Sequence, residues 1–550
     1  MKDIIMKMIS KKVDLDVCDI ENLLEVPPRL EMGDFAFPCF SLAKKMKKSP
    51  VVIAEDLVGK FRLVKGIDRV ESEGAYVNFF VDRTSFSKSV LEKVGSWDLV
   101  VGSRKKGKIV IDMSSPNIAK PFGVGHLRST IIGNSIAKIC EANGFDVVKI
   151  NYLGDWGTQF GKIIFGWKKW GSEEKLKEDA IAHLQELYVK VSASDEFDDE
   201  ARAEFKKLEE GDKENLELWK RFREMSLEKF QKIYDLLGIS FDVVLGESLY
   251  NDKMDSVVAE LKKKKLLIED DGAKIVDLDS EGLGKVLIQK SDGTSLYATR
   301  DLAMAIDRKK VYDFDRVVYE VGAEQKLHFR QVLGVLDKMG KKWSKNLVHA
   351  AHGLYLDKDG KKFSTRRGKT VFMQDVLDEV LDKARKNLED RGGCKDLEER
   401  ARVIALAAIF YGDLKNNREH NMVFDIDKFL SFEGDTGPYL LYSYARASSL
   451  LRKVSSQAKV EIGGVKDVEI LLLKKIDSYD DILVKAYDGL APNLVANYCF
   501  ELASLFNEFY HACPVLGGKE EGFRLAIVEA FRVVMGKGLD LLGIEMLEEM

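Results

Sequence analysis

Six cysteines in 550 residues, Cys18, Cys39, Cys140, Cys394, Cys499 and Cys513, include no CxxC pair. That spacing argues against a zinc ribbon or a disulfide framework. Thiols scattered through a long chain fit a reducing compartment. No apolar run reaches the roughly 18–20 residues of a membrane helix. The opening MKDIIMKMISKK has too short an apolar part for a signal peptide and reads as a first amphipathic helix. A cytoplasmic location away from any membrane is the expectation. There is no internal repeat and no low-complexity tract. Neither sign of charge dominates: 86 Lys and Arg face 91 Asp and Glu, a formal net charge of −5. That small negative total leaves nucleic acid open as a partner, because a basic face can hide in the average.

What is present is ordinary globular material, 45% hydrophobic and 32% charged. At roughly 100–200 residues per domain the length implies three or four domains. Residues 1 to 100 mix helix and strand patterns, with AYVNFFVD (Ala75–Asp82) β-like and a helix expected from Ser85. The basic segment Gly102–Lys108 reads as a linker. A strand begins at Ile109, a Pro- and Gly-containing loop follows, then a helix bearing Ile131, Ile132, Ile136, Ile139 and Cys140 on one side, then a strand over Val147–Leu153. Strand, helix, strand is a βαβ unit of a parallel sheet, and ligands bind at the carboxyl ends of such strands. A charged helical stretch at about 170–240 and turns at Asp270–Gly272 and Ser291–Gly293, set between short strands, make an insertion over about 170–290. Strands return at Arg316–Gly322 and Leu347–Gly353. From about Arg385 the pattern is helical. The fold class is multidomain α/β, with boundaries at 1–100, 101–384 and 385–550.

Two segments carry chemistry. In Ser114–Thr130, SSPNIAKPFGVGHLRST, Gly123 and Gly125 let backbone approach a ligand, and the loop opens a helix whose free N–H groups favour an anion. Lys120 and His126 add donors. A plain βα turn would explain the loop alone about as well. In Lys361–Thr370, KKFSTRRGKT, five basic residues surround Ser364, Thr365 and Gly368, a set able to hold a triphosphate. Alone, a solvated charged turn is the simpler reading.

Together they resemble the two ATP signatures of class I aminoacyl-tRNA synthetases, HIGH and KMSKS. The longer runs SSPNIAKPF…GHLRSTIIGN, NYLGDWGTQFG, LYATRDLAMAIDR, GDTGPYLLYSYAR and the terminal LLGIEM, in order through nearly the whole chain, resemble the arginyl-tRNA synthetases in particular. The resemblance implies an N-terminal α+β domain that touches the tRNA elbow, a Rossmann-type catalytic domain with insertions, and an all-α anticodon-binding domain. It also implies ATP-dependent ligation of L-arginine to tRNA(Arg) through an arginyl-adenylate, with tRNA usually bound before the first step. Mg²⁺ is expected, held mainly by ATP phosphates and water, with no protein metal ligand and a monomeric chain.

The resemblance also assigns residues. Arginine needs acceptors, since its guanidinium is all donor. Tyr297 and Asp301 stand four apart, on one helical face, and by resemblance line its pocket; without the resemblance, Asp301 would pair with Arg300 or Arg308. Asp112, Ser115 and Asn117 match positions around the substrate amine, with Asp112 shorter than the glutamate many members carry, and Gln325 joins them. His126 matches the second histidine of the first signature, while Gly123 stands where the first would be. Thr365 stands where the second signature has its second lysine, and Lys120 occupies the position thought to substitute. Lys362 and Arg366 complete the catalytic set. Gly123, Gly125, His126, His328, His352, Phe363 and Ser364 are the ATP candidates. Tyr76 and Asn78 match positions said to read the D-loop, and Tyr439 and Tyr442 are candidates for the anticodon loop. His183, His349, His420 and His511 show no motif and read as structural or exposed. Gly123 and Thr365 also motivate a second reading, a tRNA-binding protein that has lost catalysis. A third is a class I synthetase for another amino acid.

Overall fold

The computed structural model describes residues 1–96, 106–291, 297–363, 365–366, 369–370, 372–393, 395–454 and 459–550. The basic linker therefore falls mostly outside the described residues, as do Cys394, Ser364 and the side chain of Arg366. The chain packs as two units. One comprises 1–100, 446–480 and 501–535, the other 101–445, 481–500 and 536–550.

In the first unit, helices α1 (Lys2–Ser10), α2 (Val17–Leu23), α3 (Phe40–Met46), α4 (Pro50–Val58) and α5 (Arg83–Gly95) surround an antiparallel sheet. Its strands are β1 (Phe35–Pro38), β2 (Ile67–Glu73) and β3 (Tyr76–Val81), with β3 central. The opening segment is indeed an amphipathic helix, burying Ile5, Met6, Met8 and Ile9. α5 begins two residues earlier than its pattern suggested, because the Asp82 carboxylate accepts from Ser85 N–H at 2.8 Å and caps it. Arg83 and Lys93 of α5 pair with Asp467 and Asp477 at 2.8 and 3.1 Å.

The second unit is built on a parallel sheet in the order β11-β10-β4-β5-β6. The strands are β4 (Lys108–Asp112), β5 (Asp146–Leu153), β6 (Val243–Gly246), β10 (Arg316–Tyr319) and β11 (Leu347–His349). Helix α6 (Val124–Ala142) links β4 to β5 and is buried nearly all round. It packs so close that a Cβ on Gly133 would lie 2.4 Å from that of Met113, which only glycine permits. Between β5 and β6 lie α7 (Thr158–Trp170), α8 (Glu173–Glu178), α9 (Ala180–Ser192), α10 (Asp198–Glu209) and α11 (Lys213–Leu237). Between β6 and β10 lie α12 (Met254–Lys263), an antiparallel sheet of β7 (Ile268–Asp270), β8 (Ala273–Asp277) and β9 (Lys285–Gln289), and α13 (Tyr297–Tyr312). Asp270–Gly272 leads into the β7–β8 turn as expected. Ser291 follows β9, and Asp292 and Gly293 lie outside the described residues, so that turn is not seen between strands. Helix α14 (Lys326–Lys338) joins β10 to β11, the two-residue strand β12 (Tyr355–Leu356) follows, and β13 (Thr365–Arg366) pairs antiparallel with β14 (Lys369–Thr370) in the basic segment.

Helical structure begins earlier than 385, with α15 (Met373–Asp390), and continues through α16 (Leu397–Leu414). A short strand β15 (Met422–Val423) pairs with β12. Then come α17 (Ile426–Phe429), α18 (Gly437–Arg452), α19 (Asp467–Asp477), α20 (Tyr479–Gly489), α21 (Pro492–Ala512) and α22 (Glu521–Leu541). No helix of the described residues is long and apolar enough to cross a membrane.

Candidate active site

The parallel sheet gathers many of the candidate side chains at its carboxyl edge. Asp112 ends β4 in register with Tyr319 of β10 and Ile150 of β5. Immediately after it, Ser114, Ser115 and Ala119 have φ of 73°, 49° and 57°. Left-handed backbone costs a non-glycine residue about 1–3 kcal/mol and persists only where its surroundings over-determine it. Here they do. Ser114 N–H donates to Ser129 Oγ at 3.0 Å, Ser115 N–H to Asn151 Oδ1 at 3.2 Å, and Ala119 N–H to Ser226 Oγ at 3.0 Å. The Ser114 hydroxyl meets the Tyr234 hydroxyl at 2.8 Å.

That loop and the start of α6 form one wall of a cavity of about 440 Å³. Ser115, Asn117, Gly123, Gly125, His126, Gln325, His352, Lys362 and Phe363 line it, so most of the expected phosphate and adenosine residues meet in one place. A Cβ on Gly125 would meet nothing within 4 Å, leaving open space above the helix start. His126 caps its own helix: its Nδ1 accepts from Gly123 N–H at 3.1 Å. Desolvation, with His352 adding to it, lowers the His126 pKa to about 4, so the ring is neutral at pH 7 with its proton on Nε2. His352 Nδ1 contacts Glu320 Oε1 at 2.8 Å, and that carboxylate raises the His352 pKa against the opposing pull of burial. Among the described residues, Glu320 Oε2 and Arg128 Nη2 have no hydrogen-bond partner, and both residues line the cavity. Buried polar atoms left open in this way suit a polar ligand.

Beside the cavity is a cluster of carboxylates, joined to it by Ser115, whose hydroxyl donates to Asp112 Oδ1 at 3.2 Å. The other Asp112 oxygen lies 2.7 Å from Nη1 of buried Arg308, so this carboxylate has a cation inside the fold. Burial nonetheless raises its pKa, Arg308 opposing. Asp301 pairs with neither Arg300 nor Arg308; His328 Nε2 lies 2.5 Å from its Oδ2. His328 is thereby set against Asp301 and is not among the cavity-lining residues. Arg300 reaches Glu247 at 3.4 Å and Asn251 at 3.3 Å. Burial drives the Glu247 pKa up to about 7, Arg300 opposing and Asp301 and Asp155 adding to the rise. Asp155, fully buried, accepts from Arg223 Nε and from the N–H and hydroxyl of Ser248, fixing the turn that presents Glu247. Glu247 did not emerge from the sequence. Its signal was there: a carboxylate directly after β6, at the ligand-binding end of a parallel strand.

Other expected residues stand apart. Lys120 does not line the cavity; its ammonium rests 4.9 Å from the ring centre of Tyr188 on α9. Tyr297 is 60% exposed, its hydroxyl near Gly157. In the first unit, Tyr76 meets Phe40 edge-on at 5.6 Å, while Asn78 is buried in register with Ala36 and Glu71. Tyr439 lies 5.8 Å from Phe500, and Tyr442 is exposed. His183 is buried, its Nε2 accepting from Ser172 N–H, and His349 stacks on Phe329 at 4.5 Å.

Comparison with known proteins covers the whole chain. A family described as tRNA synthetases class I (R), catalytic domain, matches residues 89–426. The arginyl tRNA synthetase N terminal domain matches 1–81, and the DALR anticodon binding domain 440–550. The arginine–tRNA ligase of Clostridium perfringens is 45% identical over 564 residues, covering 100% of both chains. The arginyl-tRNA synthetase structure from Plasmodium falciparum gives a TM-score of 0.82 at 25% identity, covering 100% of this chain and 98% of that one. That from Thermus thermophilus gives 0.80 at 24% identity, covering 96% of each.

Proposed function

The chain belongs to the class I arginyl-tRNA synthetases, and from that premise we propose how its residues divide the work. It ligates L-arginine to tRNA(Arg) at the expense of ATP, by the family's route. The arginine carboxylate attacks the α-phosphorus, pyrophosphate leaves, and the arginyl group of the adenylate passes to the 2′-hydroxyl of the terminal adenosine, releasing AMP.

ATP occupies the cavity over the start of α6. Its phosphates take the free N–H groups of the helix and the Nε2–H of neutral His126, a donor that brings no charge of its own. Lys120, Lys362 and Arg366 supply the positive charge that pyrophosphate departure requires, each donor contributing about 3 kcal/mol to the transition state. Lys120 does so by leaving the Tyr188 ring. His352, Phe363, Ser364, Gly123 and Gly125 shape the nucleotide end. Mg²⁺ comes with ATP, held by its phosphates and water.

Arginine brings two cations. The observation that carries its recognition is the surplus of carboxylates beside the cavity. Asp112, Asp155, Glu247 and Asp301 face Arg223, Arg300 and Arg308, so with His328 neutral and all four carboxylates ionised the cluster is one positive charge short. The guanidinium supplies it between Asp301 and Glu247, with the Tyr297 ring beside them. Asp112, Ser115, Asn117 and Gln325 receive the ammonium end. Tyr76, on its aromatic partner Phe40, stacks on a D-loop base above Asn78, while Tyr439 and Tyr442 face the anticodon loop. In this division residues 1–100 read the elbow, the helices of 385–550 that follow the catalytic match ending at 426 read the anticodon, and the chain works as a cytoplasmic monomer.

Arginine-dependent ATP–pyrophosphate exchange in the presence of tRNA(Arg) tests the reading. Exchange with another amino acid alone would overturn the specificity, and tight tRNA binding without exchange would favour a chain that has lost catalysis.

A further inference from the structure

Asp413, on α16, is 2% exposed and belongs to neither signature segment. Its two carboxylate oxygens take partners from two distant places. Oδ1 accepts from Arg128 Nε at 3.2 Å, a residue of α6, the helix opened by the first signature. Oδ2 accepts from the Tyr355 hydroxyl at 2.5 Å, in the strand that leads into the second, basic segment. Arg128 spans both: its Nη1 donates to Leu354 O at 3.3 Å, and its guanidinium lies 5.4 Å from the Tyr355 ring centre. The chain beyond Asp413 closes round the same strand. Gly353 N–H donates to Arg418 O at 2.9 Å, Leu354 N–H to Asn421 Oδ1 at 2.7 Å, and β15 pairs with β12.

We propose that Asp413 is a positioning residue for the activation step, one carboxylate that holds the helix opened by the first ATP-binding signature and the strand leading into the second in fixed relation to each other. Arg128 and Tyr355 line the cavity, whereas Asp413 does not. Any influence it has on ATP therefore passes through those two. A charge-assisted hydrogen bond in a dry interior is stiff and directional. The triphosphate must be gripped from both signatures at once, and a shift of about 1 Å in such a grip can cost about 100-fold in rate. The inference rests on the reading that the cavity binds ATP.

Steady-state exchange by the full chain, with tRNA(Arg) present, separates kcat from the arginine KM. Asp413→Asn keeps the side chain's shape and removes its charge, and Tyr355→Phe removes one oxygen. The expected result is a kcat lowered about 100-fold by Asp413→Asn and less by Tyr355→Phe. The arginine KM should stay within about two-fold of its original value, and the double variant should be no slower than Asp413→Asn alone. Additive losses, an arginine KM that rises in step with the fall in kcat, or a lowered melting temperature with kcat intact would each overturn the proposal. If Asp413→Asn does not fold, Tyr355→Phe reads the same kcat-against-KM split alone. His126→Ala is measured alongside. If it leaves exchange intact, the ATP reading of the cavity fails. If it abolishes exchange while Asp413→Asn and Tyr355→Phe keep full kcat, only the positioning role of Asp413 fails.

Discussion

His328 Nε2 lies 2.5 Å from Asp301 Oδ2, so the carboxylate assigned to the substrate guanidinium is held here by an imidazole from another helix. Asp301 is therefore oriented by a partner that, in the proposed pocket, arginine must displace or share. Replacing Asp301 with Ala leaves a desolvated guanidinium facing no carboxylate on that side, a loss of about 3–5 kcal/mol. At about 1.4 kcal/mol per decade, kcat/KM for arginine falls by two to nearly four decades, with the ATP KM near its original value. An unchanged arginine kcat/KM would make Asp301 an ordinary helix-surface residue.

The sequence showed the parallel sheet through its apolar strands, a local signal, whereas Tyr297 and Asp301 were assigned by the resemblance of LYATRDLAMAIDR, their spacing alone favouring a surface ion pair for Asp301. Partner identity was not local. Asp112, Arg308 and Asp301 could be named as charged positions. That Arg308 turns inward to Asp112 and leaves Asp301 to His328 depends on how α13 rolls against β4 and α14, which no window of residues encodes. Asp413 was hidden for the same reason: it sits in a helix whose apolar run reads as plain core. Its role appears only when Arg128, 285 residues away, is brought beside it.

Lys120 gives a second prediction. If its ammonium works on the leaving phosphates, Lys120→Ala lowers kcat by about 10²–10³-fold and changes the arginine KM little. Lys120→Arg restores part of the rate, since charge rather than shape is required. Tyr188→Phe keeps the ring that the ammonium rests on and should behave as the original protein. A Lys120→Ala variant with full kcat in pyrophosphate exchange would return Lys120 to the class of surface loop lysines.

The strained first loop gives a third. Ala119, at φ 57°, is held by the Ser226 hydroxyl. Ser226→Ala leaves the Ala119 N–H buried without a partner, at about 1–3 kcal/mol. Urea unfolding should show that loss as a lower midpoint with unchanged slope, and the ATP KM should rise as the loop relaxes. Unchanged stability together with an unchanged ATP KM would mean that the loop holds its shape without Ser226.

Two groups of the proposed arginine pocket, Glu247 and His328, set a dependence on pH. Burial, opposed by Arg300, raises the Glu247 pKa from 4.5 to about 7, and the hydrogen bond to Asp301 raises that of His328 above 6.5. For folding the signs agree. The His328–Asp301 pair stabilises the protein fully below the unfolded histidine pKa, and that stability is lost as pH rises through the raised value. Glu247 binds a proton more readily folded than unfolded, so stability also falls as pH climbs from 4.5 toward 7. For arginine the direction reverses. The guanidinium prefers an ionised Glu247 and an Asp301 not shared with an imidazolium, so both protons must leave. The arginine KM should therefore fall as pH rises from about 6 to 8, and calorimetry in buffers of different ionisation enthalpy should record proton release on arginine binding. Glu247→Gln removes one of the two titrations, so its affinity should be weaker and its proton release smaller. His328→Asn removes the other and should flatten the remaining slope while leaving Asp301 free for substrate. An arginine KM independent of pH across that range, with no proton released, would show that neither group faces the guanidinium.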